Sequence, residues 1–207
     1  QPSAGTVGAD EGFWVAVLPF IYRGSNPDLT ALTEGLTEEI VTGLSRFSYR
    51  KVISRSLTSR YVNESVDVRS AGKKLGARYI IEGSLRQAGN KVRLAVQLVD
   101  AVSGAQLWAE NYERSFSSEA LFELQDELVP RIVSTVADAH GVLSRNMSEL
   151  LRNRDPEELS PYEAVLRSFG YAERMTASEL ATARSGLEAA VRKAPDYADA
   201  WAMLAFL

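Results

Sequence analysis

The stretch from Ala77 to Arg114 most constrains what this chain can fold into, because it reads as three consecutive antiparallel strands. Tyr79 to Gln87 alternates apolar and polar residues, the period of a strand with one face in a core. Gly89-Asn90 supplies the positive φ angles of a two-residue hairpin turn, and Lys91 to Val99 alternates again. Setting Ala88 opposite Lys91 places Leu85 opposite Leu94, Gly83 opposite Val96 and Ile81 opposite Leu98. One face is then apolar on both strands, so pattern and turn agree on a register. After Asp100 to Gly104, a third strand from Gln106 to Tyr112 is expected to set Leu107 against Leu98 and Ala109 against Val96. That register lines Arg86, Arg93 and Tyr112 across the other face, with Gln97 beside Trp108.

The chain before the meander reads as two β-α units. Phe13 to Phe20 is continuously apolar, as a strand buried on both faces would be, with Pro19 late in it. Ile21 to Ser25 is a loop, and Asn26-Pro27 is a helix entry, a capping side chain followed by proline. Leu29, Leu32, Leu36, Ile40, Leu44 and Phe47 recur at helical spacing; Gly35 among them is expected to permit close packing on the sheet. Lys51 to Ser54 is a second strand, parallel to the first, and Leu57 to Asn63 is one helical turn and a loop. Val68 to Gly76 is a short helix with a glycine stop. Leu121 to Leu143 is a long amphipathic helix, interrupted or started by Pro130.

The expected fold is therefore α/β: a mixed sheet of two β-α units and a three-stranded antiparallel meander, packed with helices and followed by an α-helical segment. Residues 1–12 read as a flexible leader, 13–146 as the α/β domain, 147–160 as a linker and 161–207 as helical repeats. With Pro195 closing a tetratricopeptide repeat, Ala183, Leu187 and Ala190 take its small, large and small positions. Trp201, Leu204 and Ala205 then match the opening of the next repeat. The chain opens at Gln1 without an initiator Met and stops partway through a repeat, so it reads as a fragment.

The chemistry is sparse. A net charge of −4 argues against nucleic acid as the main partner, and the absence of cysteine excludes disulfides and thiolate metal sites. No apolar run is long enough for a membrane span. His140 is the only histidine, the adjacent carboxylates Glu38-Glu39 and Asp126-Glu127 point apart on helices, and no phosphate-binding glycine loop is present. No catalytic residue, metal site or cofactor is expected.

Two constellations remain. Arg23, Ser25 and Asn26 after the first strand, with Ser54, Arg55 and Ser56 after the second, would meet at the carboxyl edge of the sheet. There they could hold a small anion, or serve only as caps and loop hydrogen bonds. Arg86, Arg93, Trp108 and Tyr112 on the meander suit a protein partner, or a seat for the chain's own helices. Trp201 and Leu204 add an apolar surface through which the repeat-like helices would dock a partner or pair two protomers as a homodimer.

The order of blocks carries a resemblance. Val15 to Phe20, Glu34 to Glu39, Val52 to Arg55, Glu82 to Arg86, Val92 to Asp100, Leu107 to Glu110 and Leu124 to Glu127 resemble the TolB amino-terminal-like domain that precedes tetratricopeptide repeats in bacterial signalling proteins. The resemblance covers about residues 13 to 143. It implies a non-catalytic regulatory or interaction module behind a class III adenylate or guanylate cyclase domain. The alternative, which rests on the edge around Arg23 and Arg55, is a small-anion sensor domain of a transmembrane transcriptional regulator, since the family also sits behind a winged-helix domain and a membrane span. The module would be periplasmic where a span lies upstream and cytoplasmic otherwise.

Overall fold

In the computed structural model, residues 13–62, 67–117 and 121–207 are described; the leader over 1–12 and Asn63 lie outside them. The sheet has the strand order β3-β1-β4-β5-β6, with β2 also on β4. These strands are β1 Trp14–Val17, β2 Ile21–Tyr22, β3 Lys51–Val52, β4 Tyr79–Ala88, β5 Lys91–Asp100 and β6 Gln106–Ser115. β1 lies parallel to β3 and β4, and the last three strands form the antiparallel meander. This is the expected α/β class with a mixed sheet.

The first apolar run is buried on both faces: Val15 and Val17 join the main core, Ala16 and Leu18 a second one. Pro19 has no N–H to give to a ladder, and the chain bends there. It resumes pairing with β4 at Ile21 and Tyr22, so part of the expected loop is strand. The Phe20 ring covers Gly83 of β4, where a Cβ would fall 2.7 Å from two ring carbons.

Helix α1 (Pro27–Ser45) is capped by Asn26, whose side chain accepts from the Asp28 N–H at 3.0 Å. Its apolar stripe packs on the sheet. Gly35 faces elsewhere than expected. A Cβ there would collide with Gln125, and one on Gly43 with Val133, so the glycines admit helix α4 (Leu121–Ala137), not the sheet. The second core is closed by α2 (Arg55–Thr58), the 3-10 turn Ser59–Tyr61 and α3 (Val68–Leu75).

The β4–β5 register is the expected one, from Ala88 opposite Lys91 to Ile81 opposite Leu98. Gly89 alone takes positive φ at the turn, at 59°, the pattern of a type II′ turn, so Asn90 needs no left-handed backbone. The β5–β6 register differs from expectation by one residue. Trp108 lies opposite Leu98, Tyr112 opposite Leu94 and Glu113 opposite Arg93, because pairing shifts at a bulge between Leu98 and Val99. The loop is pinned by buried Asp100: one carboxylate oxygen accepts from the Val102 and Ser103 N–H groups, the other from Arg78. Gly104 N–H closes the turn on the Asp100 carbonyl at 2.7 Å. Trp108 and Tyr112 therefore face the core and Ala109 the opposite face, while Leu107, unpaired at the bulge, is partly buried against the core.

The long helix is also divided. It ends at Ala137 and restarts as α5 (Val142–Leu150) after Gly141, where a Cβ would fall 2.8 Å from the Val136 carbonyl oxygen. Pro130 sits inside α4. The expected linker over 147–160 begins inside α5, and Met147, Leu151 and Leu159 in that stretch are buried apolar contacts. Helices α6 (Pro161–Arg174), α7 (Ala177–Lys193) and α8 (Ala198–Phe206) follow. Tyr162 of α6 packs its ring against Phe13 and donates its hydroxyl to the Tyr49 carbonyl. One apolar core thus runs from the sheet into the helices.

Gly83→Val should destabilise the fold by about 1–3 kcal/mol, because its branches would displace the buried Phe20 ring. Urea unfolding measures this, and Gly83→Val with Phe20→Ala should recover part of the loss.

Candidate functional site

The two faces of the meander are covered unequally. Ile81, Leu85, Leu94, Val96 and Leu98 lie under α1 and α4. On the other face, directly opposed residues form rows. Ile80 and Val99 are buried at the covered end. Glu82, Gln97 and Ala109 make the next row, then Ser84, Ala95 and Asn111, then Arg86, Arg93 and Glu113. The face thus grades from apolar, through small and polar, to charged.

The small and polar rows floor a groove of about 430 Å³, walled by Leu18, Pro19, Ile21 and Arg23 and ended by Tyr61. Gln97 donates to the Glu82 carboxylate across the floor. The Tyr61 hydroxyl is buried and has no hydrogen-bond partner among the described residues. In the charged row Glu113 accepts from Arg93 at 2.6 Å and Lys91 at 3.0 Å. Arg93 first, then Lys91, hold its carboxyl below the usual range.

The anion edge expected from Arg23 and Arg55 is not assembled. Arg23 lines the groove, whereas Arg55 lines a separate cavity and is tied to Glu38 at 2.6 Å. Asn26 caps α1, Ser54 and Ser56 bond each other at 2.9 Å, and Ser25 is exposed. Arg23 instead stands beside Arg86, because β2 runs parallel to β4 with Tyr22 opposite Leu85. The expected Arg86-Arg93-Tyr112 alignment is corrected by the bulge to Arg86-Arg93-Glu113. Tyr112 is 3% exposed and bonds Glu110; burial first, then that carboxylate, push its phenol upward. Trp108 is half-buried against the core. Sequence reasoning missed the groove floor, since Ala109 and Asn111 reach it only through the register shift. Among the described residues no three His, Asp or Glu side chains gather as a metal cage requires.

A second surface lies on the helices. Trp201 of α8 is 51% exposed and Phe206 72%, while Ala200 between the helices is buried. Trp201 Nε1 donates to the Pro195 carbonyl at 2.8 Å, and Leu204 and Leu180 line a shallow cavity of about 240 Å³. No described helix is long and apolar enough to cross a membrane.

Comparison with known proteins gives a family match over residues 11–131, to the second domain of the HilA/YgeH-like transcriptional regulators. A protein of Rhizobium meliloti (strain 1021) named "Putative adenylate cyclase 3" is 34% identical over 154 residues, covering 74% of this chain and 25% of that protein. The chain thus spans about a quarter of that relative. Similar solved structures include lipoprotein GNA1162 of Neisseria meningitidis, with TM-score 0.42 and 16% identity over 59% of this chain and 98% of that one. A PelC dodecamer from Paraburkholderia phytofirmans gives 0.41 and 18% over 59% and 86%. TolB of Acinetobacter baumannii gives 0.39 and 17% over 60% and 28%. These likenesses are too distant to bear on function.

Arg86 and Arg93 stand directly opposite on neighbouring strands, an arrangement that costs stability. Arg86→Thr should therefore raise the urea midpoint, and by more at low ionic strength than in high salt. An unchanged or lowered midpoint at low salt would mean that Arg86 is already compensated.

Proposed function

This chain belongs, through residues 11–131, to the family of the second domain of HilA/YgeH-like transcriptional regulators, and from that premise we propose that it is a non-catalytic regulatory module of a bacterial signalling protein, working through protein contacts. The observation that carries this reading is the surface of α8. Trp201 and Phe206 are large apolar side chains held outward on a helix whose other side is fixed into the core. Aromatic anchors displayed on a rigid element are what a protein interface uses.

The helices support a repeat-like reading of this surface. Ala183, Leu187 and Ala190 of α7 are all buried against α6, and Pro195 separates α7 from α8. In a tetratricopeptide reading they would take the small, large and small positions of the second helix. The array docks a partner or pairs two protomers. The relative in Rhizobium meliloti supports a place beside a nucleotide cyclase-like domain in a longer protein. In this reading the module conveys regulation and the neighbouring domain does the chemistry.

Purified residues 1–207 should turn over neither ATP nor GTP. Trp201→Asp with Phe206→Asp should reduce self-association in sedimentation velocity while leaving the far-ultraviolet dichroism and melting of the sheet domain unchanged. A wild-type chain that stays monomeric at high concentration and captures no protein through α8 would defeat the interaction reading.

A further inference from the structure

We propose that the corner formed by Arg23 and Arg86 is a binding site for a sugar phosphate, with the phosphate at the two guanidinium groups and the hydroxylated body in the adjoining groove. Arg23 and Arg86 line one cavity of about 240 Å³ with Ile21, Ser84 and Leu85. Neither arginine has a carboxylate partner among the described residues, whereas Arg93 and Lys91 share Glu113. Four cations on this corner thus face one carboxylate, in a chain whose net charge is −4. Strand register sets Arg23 next to Arg86 and Arg86 opposite Arg93, and guanidinium forks so spaced can reach the several oxygens of one phosphomonoester.

The cavity adjoins the groove, since Ile21, Arg23 and Ser84 line both. The groove floor offers what a sugar ring needs. Glu82 accepts hydroxyl protons beyond the one bond it takes from Gln97. Ser84 and Asn111 have side chains without a hydrogen bond among the described residues, and Ala95 and Ala109 leave room above the strands. Leu18, Pro19 and Ile21 supply an apolar wall for the C–H face of the ring. Glu82 also sets the specificity, because a second anionic group placed on the floor would meet its carboxylate. One phosphate on a neutral, hydroxyl-rich body fits; a polyanion such as nucleic acid does not. The site is separate from the α8 surface and stands whether or not α8 binds a protein.

Calorimetric titration of the whole chain with glucose 6-phosphate, inorganic phosphate and glucose tests this. Glucose 6-phosphate should bind saturably and more weakly as salt rises, inorganic phosphate about tenfold more weakly still, and glucose not measurably. Arg23→Gln and Arg86→Gln should each lower the affinity for glucose 6-phosphate by about tenfold without loss of melting temperature. Arg55→Gln, outside the corner, should leave it unchanged. Glu82→Gln should reduce the preference for glucose 6-phosphate over phosphate. Absence of saturable binding, or wild-type affinity in both Arg23→Gln and Arg86→Gln, would overturn the site. Equal affinity for phosphate and glucose 6-phosphate would overturn the role of the groove.

Discussion

The open face of this molecule depends on one unpaired step in a strand. Side chains alternate across a sheet, so the bulge between Leu98 and Val99 decides for all of β6 which residues face the helices. It turns Trp108, Glu110 and Tyr112 inward and Ala109, Asn111 and Glu113 outward. Without it, Trp108 and Glu110 would stand over the rows now floored by Ala109 and Asn111, and the groove would be filled. The same step gives Arg93 its carboxylate, Glu113, and leaves Arg86 without one. A buried aspartate fixes the step: Asp100 spends its carboxylate on two backbone N–H groups and on Arg78.

A second constraint joins sheet and helices. Arg50, between α1 and β3, is 6% exposed and makes no salt bridge among the described residues. It donates to the Ala137 carbonyl at the negative end of α4, to Ser144 and to the Met147 sulfur, and lies over the Tyr49 ring. Burial lowers its guanidinium to about 10, which still leaves it charged at neutral pH. Tyr79 adds a hydrogen bond to Asn146 of α5 at 2.8 Å. The helices are therefore packed onto the sheet, not tethered to it by a linker.

Both constraints sit at the Tyr79 end of β4, which pairs with Asp100, but the effect of the bulge reaches the far end. Tyr79 meets the helices, and Arg86, seven residues along, stands in the charged corner, a separation of about 23 Å at ~3.3 Å per residue. One strand in the middle of the sheet thus belongs both to the helical junction and to the proposed anion corner.

The sequence by itself determined the α/β class, the β4–β5 hairpin and its buried face, the Asn26 cap, and the apolar positions of α1 and α4. Each rests on a local period or a local turn, which neighbouring residues are enough to specify. It did not determine the register of β6, because Leu107 and Ala109 are as apolar as Trp108 and Tyr112, and either parity gives a plausible core. Gly35 signalled close packing, but only the fold showed that α4 and not the sheet is the neighbour. The break at Gly141 and the burial of Leu151 and Leu159 likewise depend on contacts distant in sequence. Arg23 and Arg86 are sixty-three positions apart, and the paired guanidinium corner exists only because β2 resumes alongside β4 after Pro19. Which charges become neighbours is decided by strand order, which no local pattern encodes.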